Sequence, residues 1–414
     1  MFKNPNPLPD LGTPSRWRQA YRNWKYALSQ LQGIIKQFQK SNRPLETCPS
    51  AMSRLKVAVL DDYLDSSSSY FGKLDSSIFE VTTFKDTLPP YSGPETPAEA
   101  KDELARRLEP FSVICTMRER TPFPAELINR LPNLKLLLTT GVRNASLDLT
   151  ALRQRGIPVA GAKDKKRGKH DSNAITTGTD STTEHCVAMI MGLARGLVRD
   201  HNAVQAGLWQ TGYAVGLSGK TFATLGLGRL GTAVSRIMNT AFGMRVIAWS
   251  ENLTQEKADE QAKGAGLAVE NGDGKKTFEV VSREELFRTA DVLSIHLVLS
   301  QRTRGLVTEK DLSLMKRSAM LVNTSRAGLV VTQDLLKVLE NGAIRGAAID
   351  VFDLEPLPTG DVWRTTKWGE DGRSQVLLTP HMGYVEEQTL RDWYEMQVEN
   401  ILRWHNGEEL LMPL

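Results

Sequence analysis

The chain has 414 residues, too many for one compact core and suited to two or three domains. Hydrophobic residues make up 40% and charged residues 24%, and no apolar run approaches the ~20 residues that span a bilayer, which sets aside an integral membrane protein. A formal net charge of +4 is too small an excess to argue for nucleic-acid binding. Cys48, Cys115 and Cys186 have neither metal-ligand nor redox spacing, and the six histidines form no HExxH-like cluster, so no metal is expected. An odd, scattered cysteine set reads as belonging to a reducing compartment.

Residues 1–53 form an N-terminal extension unlike the rest. Between Lys3 and Arg43 stand eight Lys or Arg and one acid, Asp10, while Trp17, Tyr21, Trp24, Leu28 and Leu31 recur at helical spacing. An amphipathic helix or loose extension is the simpler reading, which leaves a cytoplasmic protein. A mitochondrial transit segment is the alternative.

From Leu55 strands and helices alternate. Buried-strand runs are Leu55–Leu60, Phe79–Phe84, Val113–Thr116, Leu134–Thr139 and Ile157–Ala160. Helical patterns at Pro97–Leu108, Pro124–Leu131 and Ala145–Gln154 separate them. This alternation predicts a parallel sheet covered on both faces. A basic and then Ser/Thr/Gly-rich stretch over 163–180 reads as a solvated loop. One long helix is expected from Thr183 to about Gln205, connecting two domains. A second alternating series follows, with strands at Thr221–Leu225, Arg245–Trp249, Phe278–Val281, Val292–Leu297, Ala319–Asn323, Arg345–Val351 and Val376–Thr379. Ser282–Glu285 reads as a capping box, residues 264–277 as an exposed loop, and Glu386–His405 as a closing amphipathic helix.

Gly226-Leu227-Gly228-Arg229-Leu230-Gly231 follows one such strand and opens a helix, with a second strand after it. In that setting GxGxxG is a dinucleotide fingerprint: Gly226 for the tight turn, Gly228 for backbone approach to a pyrophosphate, Gly231 for close helix–strand packing. The helix N-terminus adds unpaired donors and a partial positive charge. Beyond the second strand come Ser250 and Glu251. Glu251 would repel a 2′-phosphate and no Arg follows at once, so NAD is expected, with NADP the alternative.

Three further strand ends carry polar residues: Asn323–Gly328, Asp350–Pro356 and Thr379–Gly383. In open α/β sheets ligands bind outside the carboxyl ends of strands. Arg326, Glu355 and His381 at one such edge suit oxidation of an alcohol to a ketone. His381 takes or gives the oxygen's proton, a carboxylate fixes its tautomer, and a guanidinium grips a carboxylate and polarises the adjacent carbonyl.

In this order, from about Leu55 to His405, these segments resemble the D-isomer-specific 2-hydroxyacid dehydrogenases. Gly219-Lys220-Thr221 and His296-Leu297 add to the likeness. The resemblance implies a Rossmann-type nucleotide-binding domain inserted in a flavodoxin-like substrate domain, both with parallel sheets. The substrate domain would span 54–182 and be completed by 386–414, with 183–385 between. The implied reaction moves a hydride between NAD(P)(H) and C2 of a small D-2-hydroxy or 2-oxo acid, in a homodimer. Catalytic roles would fall to Arg326, Glu355 and His381. Gly226, Gly228, Arg229, Leu230, Gly231, Ser250, Glu251, His296, Thr324, Asp350 and Gly383 would line the cofactor. Thr140 and Gly141 would hold the substrate carboxylate together with Arg326, and Arg120 (or Arg118) would face the substrate's far end. Val142-Arg143-Asn144 departs from the acidic residue often found there. NAD(H)-sensing corepressors share this fold and these residues, so a binding protein of that kind is the alternative function.

Overall fold

The computed structural model describes residues 54–93, 96–142, 144–163 and 180–414. Expectations for residues 1–53 and for most of the 163–180 loop lie outside the described residues. Among the described residues the apolar runs form twelve strands in two wholly parallel sheets.

The first sheet contains β1 (Leu55–Val59), β2 (Phe79–Thr83), β3 (Val113–Thr116), β4 (Leu136–Thr139) and β5 (Val159–Ala160), in the order β2-β1-β3-β4-β5. The second contains β6 (Thr221–Leu225), β7 (Arg245–Trp249), β8 (Phe278–Val280), β9 (Val292–Ile295), β10 (Met320–Asn323), β11 (Gly346–Ile349) and β12 (Gln375–Leu378), in the order β12-β11-β10-β9-β6-β7-β8. The first order is flavodoxin-like and the second Rossmann-like. Every residue of β3, β4, β9, β10 and β11 is buried, which explains continuous apolar runs rather than alternation. The order in which successive strands are added reverses between β1 and β3 in one sheet and between β6 and β9 in the other, while every pair stays parallel. Register there places Leu225 between Trp249 and Ile295.

The long helix expected from Thr183 is two helices. Asp180 caps the first, α1 (Ser181–Arg195), by accepting from the Thr183 amide at 3.1 Å. Gly196 then takes a left-handed φ of +64°, which ends α1, and α2 (Leu197–Gln205) begins. Cys186, Met189, Ile190 and Leu193 of α1 pack on Phe222, Val246, Val322 and Ala348 of the seven-stranded sheet. The helix predicted from Ala145 starts later, at Leu149. Asn144 first folds into a side-chain turn onto the Ser146 amide (3.0 Å), and Asp148 then caps Ala151 (2.9 Å). At Ser282 the side chain accepts from the Glu285 amide at 3.1 Å, the forward half of a capping box.

Helix α3 (Arg229–Thr240) follows β6, and α4 (Glu387–His405) follows β12. Glu386 caps α4 by accepting from the Gln388 and Thr389 amides at 2.9 and 2.8 Å. Its Trp393, Tyr394, Met396 and Ile401 pack on Val57, Val59, Leu136 and Leu138, so the last helix returns to the first sheet. Among the described residues no helix is long and apolar enough to cross a membrane, and no three metal-ligating side chains cluster.

Candidate active site

The Gly-rich turn leaves β6 at the switch point. Gly226 has φ +104°, and a Cβ there would lie 3.0 Å from Leu297 Cδ2 and 3.1 Å from the His296 carbonyl. Both the dihedral and the close approach call for glycine. The Gly226 amide donates to Trp249 O at 2.9 Å, and Thr224 Oγ1 donates to Gly226 O at 2.9 Å. A Cβ on Gly231 would run into the Gly226 carbonyl oxygen, so α3 can sit this close to the turn only without one. Gly228 differs: it precedes α3 at φ −83°, and a Cβ there would meet nothing within 4 Å. The space above Gly228 is therefore open to a ligand, as a pyrophosphate requires. Leu230 stands in the first turn of α3, while Arg229 pairs with Asp180.

Ser250 and Glu251 follow β7, with Ser250 half-buried and Glu251 exposed. His296, after β9, donates its amide to Leu225 O at 2.9 Å and shares a hydrogen bond between its Nε2 and Ser294 Oγ at 2.9 Å. Burial pushes its imidazole down to about 4, so the ring is neutral. Thr324, after β10, is buried.

Three loop ends meet at His381. Its Nδ1 lies 2.6 Å from Glu355 Oε2, and Glu355 Oε1 accepts from the Phe352 amide at 2.9 Å. Burial pushes the Glu355 carboxyl up. The hydrogen bond and charge of His381, the Phe352 amide and the Arg120 charge outweigh it and hold the group below the usual carboxylate range. His381 itself adopts a left-handed φ of +55°. Asp350 over-determines that turn: its oxygens accept from Thr379 Oγ1 (2.6 Å), the Met382 amide (2.8 Å) and the Gly383 amide (3.3 Å). His185 Nε2 lies 3.1 Å from the same carboxylate. Burial raises the Asp350 carboxyl, but these bonds, led by His185, hold it low, so it stays ionised. Asp350 is thus a fully buried anchor beneath Thr379–Gly383.

Arg326 follows β10. Asn323 shapes its turn, donating to Arg326 O at 3.0 Å and accepting from the Ser325 amide at 3.1 Å. Its guanidinium reaches Glu119 Oε1 at 3.1 Å. Opposite, Thr140 Oγ1 accepts from the Arg118 amide at 2.8 Å, and Gly141 has φ +80° with the Arg118 guanidinium lying over its open face. Arg118 Nε is also 3.6 Å from Glu119 Oε2.

Arg120, read from the sequence as facing the substrate's far end, lies against the His381–Glu355 pair. Its side chain is 8% exposed. Its Nη1 lies 3.5 Å from Glu355 Oε2, the oxygen that also meets His381. Its Nε donates to Tyr384 Oη at 2.8 Å and its Nη2 to His381 O at 3.5 Å, with the guanidinium over the Tyr63 and Tyr384 rings. Sequence reasoning singled out neither Glu119, Tyr384 nor Asp61. Asp61-Asp62 stands one residue beyond β1, at the switch point of the first sheet, so the strand-end rule applied elsewhere would have found it.

An open turn for a pyrophosphate, a His–carboxylate pair and a guanidinium at the strand ends define an NAD-dependent oxidoreductase acting on CH–OH groups. Residues 187–383 match the family model described as D-isomer specific 2-hydroxyacid dehydrogenase, NAD binding domain. Glyoxylate reductase from Aeropyrum pernix is 31% identical over 345 residues, covering 81% of this chain and 90% of that protein. D-3-phosphoglycerate dehydrogenase from Bacillus subtilis is 29% identical over 312 residues, 75% of this chain and 52% of that one. A solved phosphoglycerate oxidoreductase from Vibrio cholerae superposes with a TM-score of 0.68 at 30% identity, covering 85% of this chain and 99% of that one. The chain belongs to the D-isomer-specific 2-hydroxyacid dehydrogenase family.

Proposed function

We propose that the protein interconverts a 2-oxo acid and its D-2-hydroxy acid, with His381 as the proton donor and acceptor. The observation that carries this reading is the 2.6 Å contact between His381 Nδ1 and Glu355 Oε2. It occupies one ring nitrogen with an ionised carboxylate and leaves Nε2 to exchange a proton with the substrate oxygen. Arg326 supplies a planar fork for the substrate carboxylate, with the Thr140–Gly141 turn beside it, and draws electrons from the adjacent carbonyl. NAD, or NADP as the alternative, fits the open turn at Gly228 and supplies or accepts the hydride. Asp350 keeps Thr379–Gly383, and with it His381, in place.

We read the two sheets as two domains, 54–182 completed by 386–414 and 183–385, meeting at this site. The partner we propose is a second copy of the chain. Leu197, Val198 and Val204 of α2, then Leu208, Trp209 and Tyr213, stay exposed in one short stretch, with Trp209 at 75% and Tyr213 at 91%. So dense an apolar run suits a subunit interface. Trp209→Ser with Leu208→Ser then yields monomers by light scattering. The compartment we propose is the cytoplasm, with the mitochondrion the alternative from the basic extension, and cell fractionation decides between them.

The test of the activity is loss of reduced-nicotinamide absorbance with NADH and NADPH against a panel of 2-oxo acids. His381→Ala lowers turnover by about 10²–10⁴ while NADH binding persists. Equal turnover in the variant removes His381 from the mechanism. Tight NADH binding without turnover in either protein moves the reading to a cofactor-sensing binding protein.

A further inference from the structure

A cavity of about 530 Å³ opens beside the His381–Glu355 pair. That volume falls within the roughly 300–1,000 Å³ of sites that enclose drug-sized ligands, far more than a two-carbon acid fills. Its walls are mainly apolar: Tyr63, Leu64, Phe352, Leu357, Tyr384 and Val385. Leu64 is 66% and Tyr63 42% exposed, forming an uncovered apolar lip on the turn after β1.

The buried cation of the cavity is already engaged. Arg120 donates to Tyr384 Oη and contacts Glu355 and His381 O, as described above. Arg364, at the solvent edge, gives its Nε to Leu357 O at 3.1 Å. Two carboxylates, Asp61 and Asp62, also line the cavity. Asp61 accepts from Thr121 Oγ1 at 3.0 Å and from Thr87 Oγ1, and Asp62 accepts from the Ser67 amide at 2.8 Å and the Ser66 amide at 3.1 Å. A phosphate or second carboxylate placed here would face these anions.

We propose that this cavity receives the substrate's side chain, so that the protein's 2-oxo acid is a monoanion carrying a bulky, uncharged, largely apolar group, branched aliphatic or aromatic. The inference rests on the proposed function, because it takes C2 to be held at His381. Burial in such a cavity is worth roughly four-fold in kcat/KM per added methylene.

The test compares NADH-dependent reduction of glyoxylate, pyruvate, 3-phosphohydroxypyruvate, 4-methyl-2-oxopentanoate and phenylpyruvate by the full chain. The two bulky acids exceed pyruvate at least ten-fold in kcat/KM. Leu357→Trp, which fills the cavity, lowers the ratio of phenylpyruvate to glyoxylate kcat/KM at least ten-fold. Leu64→Asp, on the exposed lip where folding is not at stake, lowers the same ratio. A preference for glyoxylate or 3-phosphohydroxypyruvate overturns the inference and leaves the reductase standing. Failure to reduce any of the five acids above the His381→Ala background overturns the proposed function itself.

Discussion

The three glycines of the Gly226–Gly231 turn occupy one motif but stand in three different surroundings, and replacing each with alanine separates folding from cofactor binding. Gly226→Ala places a side chain at φ +104°, a backbone region worth roughly 1–3 kcal/mol of strain. It also presses a Cβ to within 3.1 Å of the His296 carbonyl. Gly231→Ala forces a Cβ onto the Gly226 carbonyl oxygen, and overpacking of this kind destabilises by about 1–3 kcal/mol. Better helix propensity returns up to about 1 kcal/mol of that. Gly228→Ala meets no protein atom within 4 Å and keeps a φ of −83° that alanine adopts freely. At such a site the substitution is neutral or stabilises by about 0.4–1 kcal/mol. The expected pattern is therefore lowered thermal midpoints for Gly226→Ala and Gly231→Ala and an unchanged or raised one for Gly228→Ala. NADH titration followed by cofactor fluorescence gives the converse for Gly228→Ala: a Kd raised at least ten-fold, about 1.4 kcal/mol, because the new methyl stands where the pyrophosphate approaches. A Gly228→Ala protein as unstable as Gly231→Ala, or one that binds NADH as the parent does, refutes the assignment of this turn.

Two further substitutions read the electrostatics. Arg120→Met removes one of the groups that hold the Glu355 carboxyl low, so Glu355 takes up its proton at higher pH. The acid limb of kcat/KM then moves upward, and Arg120→Lys, which keeps the charge, moves it less. An unmoved limb in Arg120→Met denies Arg120 any electrostatic part. Burial pushes the Asp61 carboxyl up to about 6 from its usual 3.8, against the hydrogen bonds of Thr87 and Thr121. The folded chain thus holds that proton more tightly than the unfolded chain. The stability contribution is full below pH 3.8 and is lost as pH rises through about 6. Asp61→Asn is accordingly more resistant to urea than the parent at pH 8, with the difference gone near pH 4. A variant weaker at pH 8 contradicts the reasoning.

Much of the fold was legible because the fully buried strands β3, β4, β9, β10 and β11 are written as mainly apolar runs, and the flanking strands, though broken by residues such as Lys56, Glu80 and Glu279, keep enough apolar residues to stand out. The break at Gly196 was not, because an isolated glycine within a helical pattern is tolerated as often as it terminates one. Here the left-handed φ and the exposed Leu197 and Val198 show the chain leaving the sheet. The strand-end rule brought out Arg326, Glu355 and His381. It could not divide labour between Arg118 and Arg120, two residues apart at one strand end. Arg118 lies over Gly141, whereas Arg120 turns to Tyr384, 264 positions later in the chain. Nor could it find the Arg326–Glu119 pair, separated by 207 positions. Pairings at such separation depend on how the two sheets meet, which local pattern does not carry.

That last pair has a consequence for how the cleft exchanges ligands. Arg326 does not face solvent as a bare cation, since Glu119, on the loop after β3, already satisfies one of its nitrogens at 3.1 Å. On the proposed function, arrival of a substrate carboxylate would be a swap of one anion for another, with Arg118, 3.6 Å from the other oxygen of Glu119, left to hold that side chain. An anion that offers only charge gains little from such a swap, whereas a planar carboxylate that matches both the fork of Arg326 and the Thr140–Gly141 turn gains on two sides. On the proposed function, Glu119 is therefore the anion that a substrate carboxylate displaces from Arg326. The pair joins a loop of the first sheet to a loop of the second.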